Sequence, residues 1–203
     1  MALAGGWSDS SGLFREEERV KILGFTPIYR LEEETIKSLC RQDYGVEVDW
    51  FFGIYNPVDP SSADWGQNLV YKLNKAREIT LALGYSHLFV VESDIVLPSG
   101  VLSSMLEEDT DVVSTLWRLN PEHSGNYIYI SYVSPNIGSR EVDFVGFGCT
   151  LIKRRVLEEI SFDIGLDGQF SIDCKNRGFK MVCLTDIHCQ HITEEGKILE
   201  VSR

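Results

Sequence analysis

The stretch LFVVESDIVLP, from Leu88 to Pro98, places two carboxylates one residue apart at the end of an apolar run. Four consecutive apolar residues, Leu88–Val91, predict a strand that is buried on both faces. Glu92 and Asp94 follow this run, and the stretch contains no Lys or Arg. Because an unpaired buried carboxylate is costly or takes up a proton, we expect a positive partner beside the two acids.

The residues before this stretch alternate between predicted strands and predicted helices. Strands are predicted over Val20–Thr26 and Val46–Tyr55, and two helices with apolar residues at helical spacing are predicted to end at Gly45 and Gly84. This order is the first half of a doubly wound parallel sheet, in which ligands bind beyond the carboxyl ends of the strands. The two acids stand at such an end and, if the segment is extended, point the same way.

The second half of the chain predicts a different arrangement. Its predicted elements are a strand over Asp111–Leu116, a half-exposed antiparallel strand over Tyr127–Val133, a strand leading into a short helix within Glu141–Ile160, a helix ending at Gly178, and a strand over Lys180–Leu184. We therefore expect an α/β fold with a mixed, mostly parallel sheet flanked by helices. A smaller antiparallel part is expected in the C-terminal half.

The composition excludes several classes of function. The chain has 203 residues and a formal net charge of −12 without any basic run, which argues against a nucleic-acid partner. No segment approaches the ~18 apolar residues of a membrane span. The N-terminus lacks the pattern of a secretory signal, and the five cysteines form no CxxC pair, so free thiols and a cytoplasmic location are expected.

The chain length fits one domain. We expect residues 1–19 to form a mobile N-terminal arm and residues 20–203 to form the domain. Within it, residues 20–98 are the predicted nucleotide-binding half and residues 99–203 the predicted acceptor and catalytic half.

The paired acids themselves suggest a divalent cation. Carboxylate oxygens suit Mg²⁺ or Mn²⁺, and either ion would neutralise the phosphates of a substrate bound to an acidic protein. The alternative interpretation is an ordinary acidic loop in which Ser93 is a turn residue.

Four segments in order resemble a known family. They are TPIYR (Thr26–Arg30), ESD (Glu92–Asp94), VDFVGFGCTLIKRRVLEEISFD (Val142–Asp163) and DGQFSIDCKNRGFKMVCLTDIHCQHI (Asp167–Ile192). Together they resemble the nucleotide-sugar glycosyltransferases of the GT-A fold, especially family 2 and its viral and bacterial relatives. The resemblance covers roughly residues 20 to 192, and the small size of the chain is compatible with a compact viral member.

The resemblance implies a cation site. Asp94 would bind the metal, Glu92 would lie near the ribose or the waters of the metal, and His191 would be a further ligand. An imidazole beside carboxylates favours Mn²⁺ over Mg²⁺. Taken alone, His191 is better explained as a histidine satisfied by a backbone hydrogen-bond partner, and the matching CQHI context favours the ligand.

The resemblance also implies a catalytic base. Asp167 would take the proton from the acceptor hydroxyl during an inverting transfer. The alternative is that Asp167 caps the helix that follows it. Many relatives carry a second acid immediately before this position, where this chain has Leu166.

Contacts with the donor are expected at five further positions, of which the first two are implied by the resemblance. Thr26 and Pro27 would contact the nucleotide, and Gly146 would let the backbone approach the donor sugar, unless it marks a bend in a strand. Arg77, on the predicted helix before the ESD strand, would reach the nucleotide or pair with an acid. Trp117 would stack on a sugar or belong to the core.

These implications lead to one leading hypothesis and two rivals. The leading hypothesis is a metal-dependent glycosyltransferase that moves a sugar from a nucleoside diphosphate sugar to a hydroxyl of a glycan or protein acceptor. The first rival is a catalytically degenerate protein that binds a nucleotide or sugar, or serves assembly. A nucleotidyltransferase ranks last, because TPIYRLEEE is not the glycine-rich, basic loop that would hold a triphosphate.

Overall fold

The computed structural model describes residues 20–42, 45–59, 64, 66–117 and 137–200. Its strands are β1 (Lys21–Pro27), β2 (Glu47–Gly53), β3 (His87–Val91), β4 (Ile95–Val96), β5 (Val112–Leu116), β6 (Ser139–Glu141), β7 (Cys149–Lys153), β8 (Met181–His188), β9 (Gln190–Ile192) and β10 (Ile198–Leu199). Its helices are α1 (Glu33–Cys40), α2 (Gly66–Ala82), α3 (Val101–Glu107), α4 (Arg154–Glu159) and α5 (Leu166–Arg177).

Seven strands form the main sheet, in the order β2-β1-β3-β7-β5-β8-β6. The pairs β1–β2, β1–β3 and β5–β8 are parallel, whereas β7 runs antiparallel between β3 and β5, and β6 runs antiparallel to β8. Strands β1, β2, β3, β5 and β8 therefore point the same way. The predicted mixed, mostly parallel sheet is confirmed.

A second, antiparallel sheet has the strand order β10-β9-β4. The smaller antiparallel part of the prediction is therefore present, but β4 comes from the first half of the chain. Its pairing with β9 brings residues from the two ends of the domain side by side.

The side chains of the central strands alternate between two apolar layers. Leu88 and Val90 of β3 pack on one face with α2, α4 and α5, while Phe89 and Val91 pack on the other face with α1 and α3. All four are fully buried, as the apolar run predicts. The carboxylates after Val91 therefore leave the sheet from its most buried strand.

Glycines end two of the helices at the predicted places. Gly84 and Gly178 have φ angles of 74° and 75°, in the left-handed region that only glycine adopts without strain. The following residues donate back into the helix, from the Tyr85 N–H to the Thr80 carbonyl and from the Phe179 N–H to the Cys174 carbonyl. This is the usual glycine-terminated helix end.

Helix α1 is shorter than predicted. It ends at Cys40 rather than at Gly45, and Arg41 is its C-terminal cap. The side-chain amide of Gln42 then donates to the carbonyls of Ser38 and Pro98 at 3.3 and 2.9 Å, so a tertiary contact turns the chain before the glycine is reached.

Two predictions lie outside the described residues, namely the arm over residues 1–19 and the strand over Tyr127–Val133. No helix in the described part of the chain is long and apolar enough to cross a membrane. The five cysteines are free thiols, of which Cys40 alone is exposed.

Three phenylalanines join the segment before β7 to helix α5. The ring of Phe162 lies 5.4 Å from those of Phe147 and Phe170, edge-on to the first and stacked on the second. The amide of Asn74 on α2 both donates to and accepts from the backbone of Phe162, at 2.8 and 3.1 Å. The position of α5 therefore depends on the buried ring of Phe162, and the backbone of Phe162 is fixed in turn by the amide of Asn74.

We expect Phe162→Ala to lower the free energy of unfolding by about 3–5 kcal/mol, because it removes a ring that is 4% exposed from a packed cluster. Ile164→Ala is the matched control, since Ile164 lies two residues away and is 64% exposed. Urea unfolding of both variants measures the difference. A loss below about 1 kcal/mol for Phe162→Ala would contradict the role of the cluster.

Candidate active site

The two acids after β3 lie in a tight turn. The Ile95 N–H donates to the Glu92 carbonyl at 3.1 Å, so residues 92–94 do not continue the strand. The extended geometry assumed from the sequence is wrong here, because the chain must turn to enter β4. Glu92 and Asp94 consequently have different neighbours.

Asp94 faces His191. Its Oδ2 lies 3.5 Å from His191 Nε2, and the two side chains are 32% and 12% exposed. Two backbone features produce this pair. In the ladder of β4 and β9, Ile95 stands opposite His191, and the Ile192 N–H donates to the Asp94 carbonyl at 2.8 Å. The structure therefore brings together these two predicted ligands.

Glu92 lies in a negative environment. Burial, followed by the charges of Asp94 and Asp167, raises the pKa of Glu92 to about 8. No described residue donates a hydrogen bond to its carboxyl group. Apart from its turn, Glu92 makes a backbone contact, from its N–H to the Gly148 carbonyl at 3.0 Å. The positive partner expected from the sequence is not found among the described residues.

Asp167 lies in the first turn of α5, beside the acids of the β3 turn. The N-cap of this helix is Gly165, so the prediction that Asp167 could be the capping residue is wrong. Its Oδ1 accepts the Gly168 N–H at 2.9 Å. Burial raises the pKa of Asp167, and the backbone donors oppose part of that rise.

The residue before Asp167 has an unusual backbone. Leu166 has a φ of 48°, in the left-handed region that non-glycine residues rarely adopt. Its side chain packs against the core layer of α2, α4 and α5, and its N–H donates to the Asp163 carbonyl at 2.8 Å. The side chain and N–H of Leu166 thus fix the start of α5.

Trp117 and Gly148 support His191. The Trp117 ring is buried and lies edge-on to the His191 ring, with centroids 5.4 Å apart. A Cβ on Gly148 would lie 2.5 Å from the indole, so only glycine leaves room for it. Trp117 therefore belongs to the core, which is one of the two alternatives predicted for it. Gly146 is also buried, and its carbonyl accepts the Thr150 hydroxyl.

The predicted nucleotide contacts fall in two places. Thr26 and Pro27 end β1 at the carboxyl edge of the sheet, but both side chains are buried. Thr26 Oγ1 has no hydrogen-bond partner among the described residues. Arg77 does not reach this edge: its Nε donates to the carbonyls of Leu157 and Ile160 at 2.6 and 2.9 Å, so it holds the end of α4 instead.

Lys72 is a basic residue at this edge that the sequence analysis missed. It is 5% exposed, and its Nζ donates to the Ile28 carbonyl, just after β1, at 2.6 Å. Burial lowers the pKa of Lys72. The spacing of Lys72 from Ala76 and Thr80, both buried on α2, is the signal that could have placed it on the inner face.

The described residues contain no group of three His, Cys, Asp or Glu side chains placed to hold an ion. The predicted set of Asp94, Glu92 and His191 is therefore present as one close pair with Glu92 beside it. Nucleotide-binding cations in proteins commonly take one or two protein ligands and complete their shell with phosphate oxygens and water. The pair fits such an ion.

No protein-family model and no curated protein sequence matches this chain. Among solved structures it is similar to A197 from STIV, with a TM-score of 0.60 and 19% identity over 90% of this chain and 95% of that chain. It is also similar to glucosyl-3-phosphoglycerate synthase from Mycobacterium tuberculosis in complex with Mn²⁺ and UDP-Glc. That TM-score is 0.46, with 14% identity over 90% and 72% of the two chains.

A third similar structure is a glycosyltransferase involved in the glycosylation of the major capsid of PBCV-1. Its TM-score is 0.38, with 11% identity over 68% of this chain and 62% of that one. At these identities the likeness concerns the fold alone. The predicted α/β class with a mixed, mostly parallel sheet is confirmed by the strand order, and the fold is shared with A197 from STIV.

We expect Glu92→Gln to stabilise the protein increasingly as the pH rises. The folded-state pKa of about 8 exceeds the ordinary value of 4.5, so the folded state holds the extra proton between these values. The wild type therefore loses stability across this window, by up to about 1.4 kcal/mol for each pKa unit. Urea unfolding at pH 5 and pH 8.5 measures the difference.

The exposed Glu194 provides the control for this experiment, as Glu194→Gln. It should change the free energy of unfolding equally at both pH values. A Glu92→Gln variant with the same pH dependence as the wild type would show that Glu92 is not held in a negative, desolvated environment.

Proposed function

We propose that this chain is a metal-dependent glycosyltransferase that moves a sugar from a nucleoside diphosphate sugar to a hydroxyl acceptor with inversion. The observation that carries the proposal is the meeting of Glu92, Asp94 and Asp167, with His191, at the carboxyl end of a mostly parallel sheet. Burial, and after it the charges of Asp94 and Asp167, raise the pKa of Glu92. Such arrangements are typical of functional sites.

The donor would bind across the carboxyl ends of β1, β2 and β3. This is the usual ligand position in an open α/β sheet, and it assigns residues 20–98 to the nucleotide. Lys72 adds a positive charge there, and Tyr29 presents a ring that is 71% exposed in the same loop as Thr26 and Pro27. The exposed ring could stack on a base.

A cation is needed because the donor is itself an anion. A diphosphate that approaches Glu92, Asp94 and Asp167 would be repelled unless a positive charge lies between them. Asp94 and His191 would hold the ion and Glu92 would face its waters, a donor set that favours Mn²⁺ over Mg²⁺. When bound, the ion would stabilise the charge of the departing nucleoside diphosphate.

Asp167 would act as the general base. Burial raises the pKa of Asp167, which would make its carboxylate a better proton acceptor than that of an exposed aspartate. It would receive the proton of the acceptor hydroxyl as the hydroxyl oxygen attacks the anomeric carbon. Gly146, just before β7, would leave room for the donor sugar, and residues 99–203 would carry the acceptor.

A catalytically degenerate binding protein is the second candidate. One observation favours it: Asp167 already accepts a hydrogen bond from the Gly168 N–H, and the acid that many relatives carry before it is Leu166 here. Such a protein would bind the nucleotide sugar and release no nucleoside diphosphate.

We expect one of UDP, GDP, TDP or CMP to raise the melting temperature only when Mn²⁺ is present. Saturation at ~100 times the dissociation constant adds about 2.7 kcal/mol, a shift of roughly 5–10 °C. Asp94→Ala should remove this shift, because the ion that bridges protein and diphosphate is lost. Thermal shift measurements of both proteins test this, and an equal shift without Mn²⁺ would contradict the metal dependence.

We expect Asp167→Asn to lower kcat by about 100-fold or more while the nucleotide affinity stays unchanged, because the variant loses only the proton acceptor. The matched control is Asp163→Asn, an exposed aspartate before the same helix. Release of nucleoside diphosphate in the presence of acceptor measures kcat. Full activity of Asp167→Asn would remove it from the mechanism, and no release by the wild type with any donor would favour the degenerate binder.

A further inference from the structure

Arg30 ties the loop after β1 to the strand that carries His191. Its Nη2 donates to the carbonyls of Ile192 and Thr193 at 3.0 and 2.8 Å. Its Nε forms an ion pair with Glu32, the residue before α1, and both side chains are less than a third exposed. The guanidinium is thus held on one side by a carboxylate and used on the other side to hold backbone.

The strand that Arg30 holds is short. β9 has three residues, and its partners β4 and β10 have two each. Beyond Ile192 the chain turns at once, with the Thr193 N–H donating to the Lys197 carbonyl at 2.8 Å. Within the described residues, Arg30 is the side chain that fixes the carbonyls at this end of β9.

The loop after β1 also contacts the turn that carries Asp94, the other member of the Asp94–His191 pair. The Tyr29 N–H donates to Ser93 Oγ at 3.4 Å, and Ser93 lies between Glu92 and Asp94 with 4% exposure. Consecutive residues therefore contact the turn that carries Asp94 and the strand that carries His191. The loop holds the two motifs at a fixed separation.

We propose that Arg30 is a positioning residue for the Asp94–His191 pair. It keeps His191 opposite Asp94 by holding the Ile192 and Thr193 carbonyls. The proposal rests on the proposed function, because it assigns Arg30 to the cation site of that function. It goes beyond the family resemblance, which implied only contacts between this loop and the nucleotide.

The direction in which the Mn²⁺ affinity changes separates a positioning role of Arg30 from an effect of its charge. A guanidinium beside a cation site repels the cation, so its removal should strengthen Mn²⁺ binding if charge were the whole effect. If Arg30 positions His191, its removal should weaken Mn²⁺ binding although a repulsive charge has gone. Groups that orient metal ligands typically change metal affinity by roughly 10–100-fold.

The experiment titrates the full chain with MnCl₂ alone and measures unbound Mn²⁺ by electron paramagnetic resonance. We expect Arg30→Met to weaken Mn²⁺ binding by roughly 10-fold. Arg30→Lys should weaken it as well, because an ammonium group cannot reproduce the fixed fork of a guanidinium. Arg41→Met, the same substitution at the exposed end of α1, is the control and should bind Mn²⁺ like the wild type.

A second arm uses His191→Ala. If Arg30 acts through His191, adding Arg30→Met to His191→Ala should weaken Mn²⁺ binding by less than about 2-fold further. Unchanged or tighter binding by Arg30→Met or Arg30→Lys, or full additivity in the double variant, would overturn the proposal and leave the proposed function standing. Absence of Mn²⁺ binding by the wild type overturns the proposal, and absence of any nucleotide shift as well would overturn the proposed function with it.

Discussion

The pairing of β7 with both β3 and β5 is the constraint on which the rest of the structure depends. It joins a parallel half built on β1, β2 and β3 to a second half built on β5 and β8. Because β7 is antiparallel to both neighbours, its beginning, and not its end, lies at the carboxyl edge. The Gly148 carbonyl there accepts the Glu92 N–H, so the first turn of the site is fixed by the strand that joins the halves.

This arrangement concentrates negative charge in one place. Residues that are distant in the chain arrive at the same edge: the acids after β3, Asp167 at the start of α5, and His191 in β9. Burial and mutual repulsion then raise the pKa of Glu92. A folded chain tolerates this unfavourable interaction when the rest of the core is stable, and the repulsion is what a cation or a proton would relieve.

Basic side chains near this edge are largely occupied with backbone carbonyls. Arg30 holds the end of β9 and Lys72 holds Ile28. Arg77 lies away from this edge and holds the end of α4. The Thr193 and Ile28 carbonyls that Arg30 and Lys72 bind lie outside regular secondary structure, next to β9 and β1. These two basic side chains thus fix the backbone around the acids, and within the described part of the chain neither of them pairs with Glu92, Asp94 or Asp167.

The sequence by itself determined the strand Leu88–Val91, the glycine ends of two helices, the parallel first half and the placement of Glu92 and Asp94 at a carboxyl edge. Local spacing suffices for these features because they depend on backbone geometry within one segment. The turn after Glu92, the antiparallel β7, the direction of Arg77 towards α4, and the pairing of β4 with β9 were decided only by the tertiary structure. Each depends on contacts between distant segments, and no local pattern records which distant partner a side chain or a strand edge will meet.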